Sequence, residues 1–173
     1  MSQGFRTFNV LFLCKQNSAR SILAEAVLNR LGAGRFEAAS AGFEPVPAIS
    51  PYALALLHKI SYNTGKLKTK ALHAVLGERD PTYDFVIRLS PEQPASGHWP
   101  QFNGLPVRVD WFLPDPCEAT GSSAQIAAVY AEVFNTLVKR IDALANLPTH
   151  VLDSATVGMR LDALANDAMK MAS

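Results

Sequence analysis

The apolar run "FNVLFLC", Phe8 to Cys14, constrains this chain more than any other stretch. It is short, rich in aromatic and branched side chains, and lacks polar alternation. Such a run fits a strand buried on both faces, as in a parallel sheet. From Ser18 the period changes. Ile22, Leu23, Ala26, Val27 and Leu31 recur at helical spacing, and Gly32 and Gly34 end the run. Strand, tight loop and helix form the first unit, and the loop holds one cysteine and one arginine, Cys14 and Arg20.

The same alternation continues along the chain. "FEAASAG" (Phe36 to Gly42) reads as a second strand, "DFVIRLS" (Asp84 to Ser90) as a third and "PVRVDWF" (Pro106 to Phe112) as a fourth. Ser50 followed by Pro51 marks a helix start, continued by Leu54, Leu57 and His58. The longest helical stripe is Ile126, Val129, Tyr130, Val133, Leu137, Ile141 and Leu144, capped by Ser122 or Ser123, with Lys139, Arg140 and Asp142 off the stripe. The segment from Thr149 to Ser173 is expected to add a short helix and then fray. The pattern predicts an α/β fold in three layers, a four-stranded parallel sheet flanked by helices on both faces. One domain over 1–173 is expected, its last ~20 residues peripheral. Ligands of such sheets bind beyond the carboxyl ends of the strands, where Cys14, Gly42, Ser90 and the loop after Trp111 all fall.

Bulk properties narrow the function. The 173 residues are 49% hydrophobic with a net charge of +1, so no basic field argues for nucleic acid. No segment is apolar for the length a bilayer requires, and the N-terminal stretch lacks the features of a signal peptide. Two widely separated cysteines, Cys14 and Cys117, make neither a disulfide framework nor a zinc site, which points to a reducing cytoplasm. His58, His73, His98 and His150 are scattered and read as surface or core histidines, so no metal is expected. Lys66, Lys68 and Lys70 alternate in a turn-rich stretch, either a solvated loop or a basic rim that draws anions.

The loop "CKQNSAR" carries the chemistry. A loop entering a helix N-terminus presents backbone N–H groups without intrahelical partners, and these can converge on an anion. The same field favours a thiolate, the nucleophilic form of cysteine. Arg20 offers a planar fork matched to two oxygens of a tetrahedral oxyanion. Ser21 is placed to hydrogen-bond Cys14, Asn17 to hold the loop's shape, and Lys15 and Gln16 to face the mouth. Ser18 and Ala19 complete the binding loop. It has no glycine and no terminal Lys-Ser/Thr pair, so it is not a nucleotide-binding P-loop. Displacement at phosphorus or arsenic also needs a proton donor. In "PDPC", Pro116 forces Asp115 into an extended conformation, which makes Asp115 the candidate acid and Asp110, within the fourth strand, its competitor.

The stretch "VLFLCKQNSARSILAEAVLNRL" resembles the opening of the low-molecular-weight protein tyrosine phosphatase superfamily. "NSARS…AEA", "SAG" at Ser40 to Gly42 and the "DPCEATG" loop, Asp115 to Gly121, are most similar to its arsenate reductase branch. The resemblance implies a four-stranded parallel sheet, Cys14 as nucleophile, Lys15 to Arg20 as oxyanion loop, Arg20 as transition-state clamp, Asp115 as acid, and no metal or organic cofactor. Two positions depart from it. The resolving cysteine expected after the third strand is Ser90, and Cys117 stands where tyrosine phosphatases carry an aromatic after Asp-Pro. Cys117 is then either a substitute redox partner for Cys14 or a buried loop cysteine. Three functions remain open at this point. One is arsenate reduction completed by an external thiol, such as glutathione, mycothiol or a glutaredoxin. Another is hydrolysis of phosphate monoesters through a phosphocysteine. The last is an oxyanion-binding module without turnover.

Overall fold

The computed structural model describes residues 6–148 and 154–171. His150 and the start of the N-terminal stretch lie outside them. Four parallel strands form the sheet: β1 (Phe8–Cys14), β2 (Phe36–Gly42), β3 (Phe85–Arg88) and β4 (Val107–Asp110), in the order β2-β1-β3-β4. The first two have the bounds the sequence pattern gives. The last two are shorter than their apolar runs, because β3 and β4 pair over four residues only, from Phe85 opposite Val107 to Arg88 opposite Asp110.

Four helices flank the sheet: α1 (Arg20–Leu31), α2 (Pro51–Lys59), α3 (Ser123–Ala145) and α4 (Ser154–Met171). Their buried side chains join one core with Val10, Phe12, Phe85, Ile87, Val109 and Trp111. Alternation along each strand sends Leu11, Leu13 and Val86 to the opposite face. Tyr83, Phe102 and a 3₁₀ turn at Leu72–Val75 cover that face, in place of a long helix. The third layer is therefore thin, and α1 on the thick side is buried from Arg20 through Leu28.

α2 starts at Pro51 as expected, with Ser50 at its N-cap; the Ser50 hydroxyl donates to the Tyr130 hydroxyl at 2.9 Å and makes no side-chain cap bond. Two local expectations change in the folded chain. Arg140 is buried beside the α3 stripe, with Nη1 donating to the Trp111 carbonyl at 3.2 Å. The C-terminal segment carries an 18-residue helix rather than a short one. Val157 and Leu161 of α4 are fully buried, and Trp111 Nε1 donates to the Leu161 carbonyl at 2.8 Å. Ser122 caps α3 as expected, in a reciprocal capping box with Gln125. No described helix is long and apolar enough to cross a membrane.

Candidate active site

The loop from Cys14 to Arg20 begins at the carboxyl end of β1, beside Gly42 of β2. Its carbonyls are committed. Those of Cys14, Lys15 and Gln16 accept from the amides of Phe43, Glu44 and Val46, and that of Ser18 accepts from Ser50. The amides of residues 15–20 donate to no hydrogen bond among the described residues. Ala19, at the N-cap of α1, supplies no side-chain cap. A loop whose carbonyls are tied to the neighbouring strand and whose amides are left over is a nest for an anion.

Asn17 fixes this geometry. It adopts the left-handed conformation, φ 51°, which Asn tolerates better than most residues. Its Nδ2 donates to Ser21 Oγ (2.7 Å) and Ser40 Oγ (2.9 Å), and its Oδ1 accepts from the Lys70 amide (2.8 Å). Ser21 Oγ lies 2.9 Å from Cys14 Sγ. Because Asn17 already donates to Ser21, the hydroxyl proton of Ser21 is left to point at Cys14 Sγ. A Cβ on Gly42 would lie 2.9 Å from the Asn17 amide and the Lys15 carbonyl, so only glycine admits this close approach.

Arg20 is 4% exposed and faces inward. Nη1 donates to the carbonyls of Leu113 (3.0 Å) and Leu89 (3.4 Å), the residues following β4 and β3. Nη2 lies 3.3 Å from Asp115 Oδ2. The other Asp115 oxygen accepts from the Cys117 amide at 3.0 Å, which fixes the carboxyl on a 3₁₀ turn, Pro116–Glu118. Asp110, the competing acid, is held instead by Arg88 at 2.7 and 3.0 Å. Cys14, at the carboxyl end of β1, and the Arg20–Asp115 pair, which Arg20 anchors to the carbonyls of Leu89 and Leu113 past β3 and β4, therefore lie at the same end of the sheet. Lys15 and Gln16 are half-buried at the loop's mouth, and Ser18 and Ala19 are buried in its wall.

Both cysteines are free thiols. Cys117 is exposed, so the expectation of a buried loop cysteine fails: the 3₁₀ turn carries it outward. Its sulfur nevertheless accepts from the Tyr130 hydroxyl at 3.4 Å. Local burial pushes the Cys117 thiol above its ordinary value, aided by the Asp115 charge and opposed by the Tyr130 hydrogen bond. Of the three lysines, Lys70 is drawn in toward Glu25, 3.8 Å away, while Lys66 and Lys68 are exposed. Burial lowers Lys70 and raises Glu25, each opposed by the other's charge. His58, His73 and His98 are exposed, and no group of three His, Cys, Asp or Glu among the described residues is arranged to hold a metal.

Sequence reasoning missed Glu92, two residues beyond Ser90. Burial alone would raise its carboxyl. Ser90, its own backbone N–H and the charges of Arg20 and Lys15 outweigh that and hold it below the usual carboxylate range. Its position just past the end of β3 was the available signal. Ser40 and the carbonyls of Leu89 and Leu113 were also missed, and nothing local marks them.

Comparison with known proteins agrees with this fold. Residues 9–97 match the family described as low molecular weight phosphotyrosine protein phosphatase. A glutaredoxin arsenate reductase of Synechocystis is 29% identical over 110 residues, 62% of this chain and 77% of that protein. The respiratory nitrate reductase alpha subunit of Haloferax mediterranei is 28% identical over 113 residues, 65% of this chain but 10% of that much longer protein. Among solved structures, an arsenate reductase in the phosphate binding state superposes with a TM-score of 0.62 at 26% identity, covering 80% of this chain and 97% of that one.

Proposed function

The chain belongs to the low molecular weight phosphotyrosine protein phosphatase family, and we propose that within it the protein acts on a small tetrahedral oxyanion through Cys14, as an arsenate reductase that uses an external thiol. The observation that supports this most is a loop with unspent amides that carries Cys14, hydrogen-bonded to Ser21, at one end and Arg20, paired with Asp115, at the other. The likeness to the Synechocystis arsenate reductase and to the phosphate-bound arsenate reductase structure supports the choice of oxyanion.

In this reading the loop amides and the Arg20 fork hold the oxyanion. The anion displaces Asp115 from Arg20, which frees that carboxyl to carry a proton to the departing oxygen. The Cys14 thiolate attacks arsenic, a Cys14 S–As bond forms, and one oxygen leaves as water. An external thiolate then attacks Cys14 Sγ. The S–As bond breaks with its electron pair going to arsenic, giving arsenite and a mixed disulfide. Two sulfurs are oxidised and As(V) is reduced to As(III). A second external thiol releases Cys14. We assign the resolving step to an external thiol rather than Cys117, because Ser90 leaves no cysteine after β3 and the raised Cys117 thiol is a poor attacking thiolate.

A phosphatase reading shares every step up to the covalent bond, and the placement of Asp115 against Arg20 favours it equally. In that case Asp115 protonates an alcohol and water clears a phosphocysteine. One pair of assays separates them: thiol-dependent arsenate reduction and para-nitrophenyl phosphate hydrolysis, each with wild type and Cys14→Ser. Reduction lost in Cys14→Ser is expected. Hydrolysis without reduction would overturn the reductase assignment, and silence in both would leave an oxyanion-binding module. Peptide mapping after arsenate turnover is expected to show no Cys14–Cys117 cross-link.

A further inference from the structure

In the segment after β3, two polar side-chain atoms lie shielded from solvent without a hydrogen bond of good geometry. Leu89 is anchored there by its amide to the Leu13 carbonyl (2.7 Å) and by its own carbonyl to the Leu113 amide and Arg20. The next residue, Ser90, is fully buried. Its Oγ and Glu92 Oε2 are both shielded from solvent, and neither has a hydrogen-bond partner of good geometry among the described residues. Buried polar atoms are nearly always partnered, and an orphaned carboxylate oxygen is costly. The charges that face this carboxylate are Arg20 and Lys15, one at each end of the loop. A carboxylate within the field of the two cations of an anion site competes with the very ligand they attract. Ser90, the backbone N–H and these two charges hold the carboxyl below its usual range, yet Oε2 makes no hydrogen bond of good geometry.

An ionised carboxylate only accepts hydrogen bonds. Facing a bound oxyanion, it needs an O–H on that anion and repels a bare oxygen. Resting on the oxyanion reading above, we propose that Glu92, supported by Ser90, is a specificity-determining residue that accepts a hydrogen bond from the protonated oxygen of the bound oxyanion. Hydrogen arsenate and hydrogen phosphate carry such a proton in mildly alkaline solution. Sulfate and the dianion of a phosphate monoester have the same charge and tetrahedral shape but no proton to give. Sites built around a ligand hydroxyl reject analogues that lack it far more strongly than apolar pockets reject a missing methylene. Glu92 would therefore select free inorganic oxyanions over sulfate and over esters.

The test uses the whole chain and the protection of Cys14 from iodoacetamide, read by mass spectrometry of the Cys14 peptide. Inorganic phosphate and sulfate are the probes, in mildly alkaline buffer. Wild type is expected to be protected by phosphate at a concentration at least about tenfold below that of sulfate, the discrimination of one charge-assisted hydrogen bond. Glu92→Gln keeps the shape and can donate as well as accept. Its preference is expected to fall within about threefold, chiefly because sulfate binds more tightly. Kinetically, para-nitrophenyl phosphate should become the better substrate in Glu92→Gln. An unchanged ratio would overturn the proposal while leaving the oxyanion site intact. So would an equal gain for both anions, which would make Glu92 a plain repulsive charge. If neither anion protects Cys14 in wild type, the oxyanion reading itself falls, and this inference with it.

Discussion

Replacing Asn17 with alanine removes three buried hydrogen bonds, to Ser21, Ser40 and the Lys70 amide, at a residue with no solvent exposure. At about 1 kcal/mol each the bonds account for about 3 kcal/mol, before any unpaired group left behind. Alanine also pays about 1 kcal/mol more than Asn for the left-handed backbone, φ 51°. The expected loss of about 4 kcal/mol is a large share of a stability of roughly 5–15 kcal/mol. Asn17→Gly separates the two causes, because glycine keeps the backbone and loses only the bonds. Urea unfolding should therefore rank wild type, then Asn17→Gly about 3 kcal/mol lower, then Asn17→Ala about 1 kcal/mol below that, with the slope m unchanged. Phosphate should also protect Cys14 poorly in both variants, since the loop amides lose their frame. A loss under about 1.5 kcal/mol in Asn17→Ala, or retained protection at wild-type concentration, would refute the view that one side chain holds the loop.

Asp115→Asn keeps the acceptor for the Cys117 amide but cannot give up a proton at neutral pH; turnover should fall by roughly 10²- to 10⁴-fold while phosphate protection of Cys14 is no weaker. Gly42→Ala places a methyl 2.9 Å from two backbone atoms of the loop, so it should cost about 1–3 kcal/mol in urea unfolding and weaken phosphate protection together. Tyr83 is buried, donates to the Val75 carbonyl at 3.0 Å, and is pushed by burial from 10.0 up to about 12. A group raised in the folded state contributes stability that is complete below its unfolded value and lost as pH climbs toward the folded one. Tyr83→Phe should accordingly lose about 1 kcal/mol at neutral pH and show a shallower decline between pH 10.0 and about 12, measured as urea midpoints.

The sequence by itself determined the elements and the chemistry-bearing loop. Phe8–Cys14 is a strand because its apolar run has no polar face to offer water, Phe36–Gly42 pairs beside it at the sheet edge with Glu37 exposed, and the change of period after Ser18 forces the chain to turn within a few residues. Cys14, Arg20 and Asp115 were legible because thiol, guanidinium and carboxyl each stand beside a local signal, whether a strand end, a helix start or an Asp-Pro turn. Only the tertiary structure decided what those groups touch. Arg20 is aimed by carbonyls 69 and 93 residues away, and Asn17 by Ser40 and Lys70. The Ser50 hydroxyl donates to Tyr130, and Arg140 Nη1 donates to the Trp111 carbonyl. Periodicity reports which side of an element avoids water. It carries no record of which distant backbone groups remain unpaired once the sheet has closed, and those leftover donors and acceptors are what give this site its shape.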